Sequence, residues 1–171
     1  DISLACLSMK DMESMKQKYF LANAHFIPCF IPCQVQREIS GEPYIKYCLY
    51  HGNMSVKENE SAALWLIQSV FHGLNIPLTI AGKSISKKVK AIASKHKNVT
   101  VQENPSDEQL TRLIRGAHIN VLPSMNNTGV KLKLLHALLE GKFCITDQRG
   151  VDGSGIDKGV YVMESNSAWT A

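Results

Sequence analysis

Aromatic residues are scarce in this chain of 171 residues, at 7%, and they do not interleave with its lysines. That pattern argues against nucleic-acid binding, which needs stacking platforms among basic side chains. No apolar run approaches the roughly 18–20 residues of a membrane-spanning helix. The opening residues Asp1, Ile2 and Ser3 lack the basic region of a secretory leader. Cysteine is present but odd in number, at Cys6, Cys29, Cys33, Cys48 and Cys144, in a chain too large and too Cys-poor for a disulfide framework. Reduced structural thiols and a cytoplasmic setting are expected. Cys29 and Cys33 would need two further ligands nearby to hold a metal, and no Cys/His pair follows them, so no metal site is expected. Several phosphate-binding signatures are missing too. No G-x-G-x-x-G follows the first strand of the main unit, and Ala81-Gly82-Lys83-Ser84 lacks the first glycine of a P-loop. The aspartates at Asp147, Asp152 and Asp157 do not have calcium-loop spacing and read as turn chemistry.

What is present is ordinary for a globular domain: 44% apolar and 20% charged residues, with a net charge of +4. Much of the positive charge lies in Lys83, Lys87, Lys88, Lys90, Lys95 and Lys97. This segment reads as a solvated helix face or as a surface attractive to an anionic ligand or membrane.

From Tyr47 onward, short apolar runs alternate with helical periodicity. Strands are expected over residues 47–50, 77–81, 98–101, 118–122, 143–146 and 160–163. A helix behind Ser55 to Glu58 is expected to start with a capping box, and Ser106 with Gln109 repeats that signature. Ser86 to Lys95 reads as a basic helix. Val130 to Leu139 reads as a helix apolar almost all round and therefore deeply packed. Strand–helix alternation of this kind implies a parallel sheet covered on both faces, and an α/β doubly wound, Rossmann-like domain is expected over residues 46–171. Ligands of such sheets bind beyond the carboxyl ends of the strands, near the switch in strand order. The loops at 51–57, 82–86, 102–107, 123–131 and 147–155 are therefore the places to look. Residues 1–33 read as a separate strand–helix–strand unit, too small to bury its own core. Residues 34–45 read as a polar linker. Both ends of the chain read as cuts in a longer protein.

The stretch from Pro123 to Lys142 runs from a strand end through a polar, glycine-containing loop into the apolar helix. Free N–H groups and the positive helix end are expected at Thr128 to Lys131, an arrangement suited to phosphate. Lys131 and Lys133 add charge there. A lysine in an apolar helix must meet an anion or snorkel to solvent.

Three segments in register carry a family resemblance: Tyr50-His51-Gly52-Asn53-Met54-Ser55-Val56-Lys57-Glu58-Asn59, Ile80-Ala81-Gly82-Lys83, and Thr128-Gly129-Val130-Lys131-Leu132-Lys133-Leu134-Leu135-His136-Ala137. Together they resemble the C-terminal, donor-binding domain of GT-B glycosyltransferases of the retaining family 4 type, as in bacterial polysaccharide assembly. The likeness covers nearly all of residues 46–165. It implies that residues 1–33 end an acceptor-binding N-terminal domain and that residues 46–171 bind a nucleoside diphosphate sugar. The acceptor would be a saccharide or a lipid-linked saccharide, with no cofactor beyond the donor substrate and with peripheral contact at the inner face of a membrane.

The resemblance also implies site residues. Gly52 matches a first-loop glycine that lets backbone approach the phosphates, with Asn53 beside it. Gly82 and Lys83 match a loop near the diphosphate or ribose. Glu103 and Asn104 open the segment that meets the base. Ser124, Thr128, Gly129 and Val130 face sugar and diphosphate, and Lys131, Lys133 and His136 complete the set. This chain departs from the family's Glu-x7-Glu pattern, with Thr128 at the first position and His136 at the second. Asn53 stands where an arginine is usual. Two other readings fit the same residues: a nucleotide-sugar epimerase of the same fold, and a non-catalytic binding domain.

Overall fold

A computed structural model describes residues 3–29, 46–127, 129–156, 158–164 and 169. The expected linker at 34–45, together with Cys33, Thr128 and Asp157, lies outside the described residues. The first unit consists of β1 (Leu4–Cys6), α1 (Met9–Tyr19) and β2 (Ala24–Phe26), with β1 and β2 parallel. Ser8 caps α1 by accepting the Asp11 N–H at 3.2 Å. α1 buries none of its residues; Cys6, Ser8 and Ala24 are the buried positions here.

The main unit follows in strict alternation: β3 (Cys48–Asn53), α2 (Lys57–Trp65) continued by a π-helical turn (Leu66–Val70), β4 (Leu78–Lys83), α3 (Lys87–Ala93) and β5 (Val99–Glu103). Then come α4 (Asp107–Gly116), β6 (Ile119–Val121), α5 (Leu132–Glu140), β7 (Phe143–Asp147), α6 (Gln148–Val151) and β8 (Tyr161–Met163). The six strands are parallel in the order β5-β4-β3-β6-β7-β8. The chain begins in the middle, winds to one edge, and returns to continue on the other side. This is the expected doubly wound α/β sheet, and its switch point lies between the carboxyl ends of β3 and β6.

Alternation along the strands divides the core. Tyr50 and Ile80 point into the larger cluster with Leu66, Ile67, Val89 and Leu134, while Leu49 and Ala81 join Ile114 and Ala117 on the other face. Among the described residues, coverage is incomplete at one edge. Ile119, Phe143, Ile145, Tyr161 and Met163 line an open apolar groove of about 280 Å³ on β6, β7 and β8.

Three expectations need correction. Strand β3 runs three residues, and β4 and β5 two residues, further than the apolar runs suggest, so His51, Gly52, Asn53, Gly82, Lys83, Gln102 and Glu103 are strand rather than loop. Ser55 caps nothing. α2 starts behind Val56, and the Ser55 hydroxyl donates to Asn53 Oδ1 at 2.9 Å in a local turn that competes with the capping role. α5 begins at Leu132, two residues late, and is amphipathic. It buries Leu134 and Ala137 but leaves Leu132 and Leu139 exposed. The second capping box forms as expected, with Gln109 N donating to Ser106 Oγ and Ser106 N donating to Gln109 Oε1.

Candidate functional site

The switch point is built around a close approach of backbones. Gly52 of β3 pairs with Gly82 of β4, and a Cβ added at Gly82 would stand 1.8 Å from the Gly52 carbonyl oxygen. Only glycine fits there. Its role is to bring the two strand ends together, whatever else approaches them. The next pair, Asn53 and Lys83, closes the strands at the crevice edge. Lys83 is exposed, and Asn53 uses its side-chain oxygen to hold Ser55.

α5 brings a lysine to this point from the other side of the sheet's switch. Lys133 Nζ donates to Asn59 Oδ1 at 3.0 Å and to the Tyr50 hydroxyl at 3.2 Å, and lies 4.8 Å from the centre of the Tyr50 ring. Tyr50 is fully buried, and its hydroxyl donates to the Asn59 carbonyl at 3.1 Å. Asn59 Nδ2 in turn donates to the Asn53 carbonyl at 2.9 Å. The lysine thus sits among neutral oxygens and an aromatic face. Among the described residues it forms no ion pair. Burial, reinforced by the charge of Lys131, lowers its pKa to about 8, against a smaller opposing effect of Asp147. Lys131 is also pushed down by burial and donates to Asn126 Oδ1.

His51 lies beside this cluster. It is 2% exposed, and its Nε2 has no hydrogen-bond partner among the described residues. Burial first, then the positive charges of Lys133 and His136, lower its pKa to about 3, so the ring is neutral at physiological pH.

The loop after β6 is held by its neighbour. Ser124 N donates to Asp147 Oδ2 at 3.1 Å, and Asp147 Oδ1 caps α6 by accepting Gly150 N at 2.9 Å. The Ser124 hydroxyl donates to the Asn126 carbonyl at 2.7 Å. Beyond this brace Gly129 takes φ 65°, with open space where a side chain would be. Val130 is partly exposed before the helix start, and Lys131 occupies the cap position without capping by its side chain. The Leu134 and Leu135 N–H groups donate to the Lys131 carbonyl at 2.8 and 3.3 Å, so the helix opens with the N–H groups of Leu132 and Lys133 rather than with those of the residues before it.

Other expected residues are arranged differently. Glu103 is taken up by an exposed ion pair with Lys90. Asn104, at φ 51°, accepts Ser84 N at 3.2 Å, and Ser84 itself has φ 56°; the two loops brace each other. His136 is on the exposed side of α5. Thr128 lies outside the described residues. Sequence reasoning missed Tyr50, Asn59, His51 and Asp147 as site-forming groups. Tyr50 and Asn59 mark the ends of a noticed motif, but their meeting with Lys133 spans 83 and 74 positions of sequence and leaves no local signal.

Doubly wound α/β domains receive their ligands beyond the strand ends, and in this chain cationic, hydrogen-bonding groups stand at that switch point. Residues 45–169 match the family Glycosyl transferases group 1. The chain belongs to that family. It is 30% identical over 128 residues to an uncharacterized 44.6 kDa protein in the cps region of Klebsiella pneumoniae, covering 69% of this chain and 33% of that protein. Its fold is that of GT-B glycosyltransferases. A glycosyltransferase from Rickettsia africae superposes with a TM-score of 0.77 at 12% identity, covering 98% of this chain and 50% of that one. TarM superposes at 0.74 and 15% identity, covering 97% and 34%. A mutant of S. aureus TarM solved in complex with Fondaparinux, alpha-GlcNAc-glycerol and UDP superposes at 0.73 and 13% identity, again covering 97% and 34%. The chain thus spans about a third to a half of the length of these relatives.

Proposed function

We propose that this chain is the donor-binding part of an enzyme that transfers a glycosyl group from a nucleoside diphosphate sugar to an acceptor hydroxyl, with retention of anomeric configuration. One observation carries the reading: Lys133 is held at the switch point as a half-buried cation facing neutral partners. A diphosphate placed there would supply the missing negative charge.

In this reading, Lys133 and Lys131 bind phosphate oxygens, and the N–H groups opening α5 add the favourable end of a helix dipole. The bond between the anomeric carbon and the phosphate oxygen breaks as a bond to the acceptor oxygen forms, and the acceptor's proton is released. Negative charge accumulates on the departing nucleoside diphosphate. Fixed cations and N–H groups already aimed at it lower the barrier without reorganising. Gly52 and Gly82 keep the floor free of side chains. Residues 1–33 belong to the acceptor-binding domain, 34–45 to the linker and 46–171 to the donor domain. The acceptor is a saccharide or lipid-linked saccharide met at the cytoplasmic side of a membrane. UDP bound to a relative of the same fold, and a relative from a cps region, support this choice of ligand and pathway class.

Calorimetry with UDP, GDP and their sugar conjugates tests the proposal. Binding of at least one diphosphate by the intact chain, weakened by Lys133→Met, is the expected result. Saturation by none of them up to millimolar concentration refutes it. Transfer is expected to be undetectable with this chain alone.

A further inference from the structure

The end of the sheet opposite the candidate site carries a surface of its own. The loop before β4 contains His72, Gly73, Leu74, Asn75, Ile76 and Pro77, all exposed, with Leu74 36% and Ile76 44% accessible. The loop before β5 contains Lys95, His96 and Lys97, with both lysines exposed. The Asn98 side chain locks the loops together, donating from Nδ2 to the carbonyls of Phe71 at 3.2 Å, Leu74 at 2.9 Å and Ile76 at 3.2 Å. The His72 and His96 rings meet edge to face, 5.7 Å apart. Two apolar side chains are thereby fixed in solvent beside two lysines that form no ion pair among the described residues.

The charge around this point has one sign. No Asp or Glu occurs from position 84 to 102, while Lys87, Lys88 and Lys90 of α3 and Lys95 and Lys97 of the loop before β5 lie within it. Of these only Lys90 has a carboxylate partner among the described residues, Glu103. Exposed aliphatic residues flanked by uncompensated lysines match a bilayer with anionic headgroups: the apolar pair enters the headgroup–acyl boundary and the lysines meet lipid phosphates. Nucleic acid would want aromatic platforms, and the rings this patch presents are the two histidines, set edge to face against each other.

We propose that Leu74 and Ile76, flanked by Lys95 and Lys97, form a docking surface for an anionic lipid bilayer. The parallel sheet gives this surface a fixed orientation. The patch lies at the amino ends of β4 and β5 and the crevice at their carboxyl ends, so the six-residue β4 holds the crevice about 17 Å from the lipid face. The crevice then stays open to a water-soluble donor while the domain rests on the membrane. The surface is independent of the donor-binding reading, since it shares no residue with the candidate site.

Co-sedimentation of the intact chain with vesicles of phosphatidylcholine alone, and with vesicles containing a third phosphatidylglycerol, tests this. Partition onto the anionic vesicles is expected to exceed that onto the neutral ones and to fall steeply with salt. The exposed double substitution Lys95→Glu with Lys97→Glu is expected to lower it about tenfold or more. Leu74→Ser with Ile76→Ser is expected to lower it with the salt dependence kept. Equal binding to both vesicle types overturns the proposal, as that is how a merely sticky apolar face behaves. Absence of binding to anionic vesicles overturns it, and so does binding that is lost with Lys133→Met but kept by the Lys95/Lys97 variant.

Discussion

Replacing Lys133 by methionine separates a binding lysine from a structural one, because only the binding role ties UDP affinity to its charge. The lowering of its pKa from 10.5 to about 8 means that keeping the free protein's amine charged at pH 7 costs up to about 3 kcal/mol relative to a solvated lysine. The sign follows from proton counting. Between pH 8 and 10.5 the unfolded chain holds the proton and the folded one does not, so the penalty is complete below pH 8 and is relieved as pH rises. Methionine fills a similar volume without the charge. It forfeits hydrogen bonds to Tyr50 and Asn59 worth about 1.5–3 kcal/mol each when the donor is charged, yet leaves the Tyr50 hydroxyl bonded to the Asn59 carbonyl. The relieved desolvation penalty offsets at least about half of that loss, so the variant is expected to be at most about 3 kcal/mol less stable, read from the urea midpoint at pH 7. Its affinity for UDP should drop about ten- to a hundredfold, the loss of a charge-assisted contact. In the parent chain the bound diphosphate raises the lysine's pKa, so affinity is full below pH 8 and falls up to about tenfold per pH unit above it. In the variant the profile above pH 8 should be flat. A variant that is less stable and binds UDP with unchanged affinity would refute the reasoning, leaving Lys133 as a packing group.

Three further changes have outcomes fixed by the geometry. Gly82→Ala drives a methyl group into the Gly52 carbonyl and should cost about 1–3 kcal/mol or more, read from the urea midpoint; an unchanged midpoint would mean that β3 and β4 separate freely. Asp147→Ala removes both the α6 cap and the anchor of Ser124, costing about 1–3 kcal/mol and accelerating amide exchange at Ser124 and Gly150 together; exchange rising at only one of them would disprove the brace. His51, with its pKa lowered to about 3, should show an imidazole resonance that does not titrate from pH 8 to 5. Stability should accordingly fall below about pH 6.5, by at most about 1.4 kcal/mol per unit, as the unfolded chain takes up a proton that the folded chain refuses. A titration midpoint near 6 would show the ring to be hydrated.

Hydrophobic periodicity located every strand of the doubly wound sheet and every helix except α6, which lies in the stretch 147–155 read as a loop, because each buried run is short and bounded by glycine, proline or a capping side chain. Boundaries failed where a polar residue serves the sheet itself. Gly52-Asn53 and Gly82-Lys83 look like turn sequences, yet they remain in register because two glycines facing each other let the ladder continue. The start of α5 was misjudged because Val130 and Lys131 suit a helix by propensity. The chain holds Lys131 extended, at ψ 93°, and the helix begins after it. Within the site, Lys133 was legible as a charge in an apolar helix. Its partners were not, since Tyr50 and Asn59 reach it only through the strand order, which no local pattern records.

Several groups that break local rules lie at the carboxyl end of the sheet. Ser84 and Asn104 both adopt left-handed backbone, His51 buries an unpartnered nitrogen, and Lys133 is a desolvated cation, all at or beside the carboxyl ends of β3, β4 and β5 or the helix that follows β6. Such clustering is where strain is retained for use. The substitutions relative to the family pattern bear on what that use rewards. Carboxylates at positions 128 and 136 would neutralise part of the lysine charge and grip hydroxyl groups of a ligand. Thr128 and His136 carry no carboxylate, so they add no negative charge beside Lys131 and Lys133 and cannot grip a hydroxyl pair as a carboxylate does. Binding free energy is then shifted from sugar hydroxyls toward the diphosphate. UDP and GDP should bind with similar affinity and uridine far more weakly, and diphosphate affinity should fall several-fold between 50 and 500 mM salt as exposed phosphate contacts are screened. A site that bound uridine nearly as well as UDP would place the recognition on the nucleoside and contradict the role assigned to the lysines.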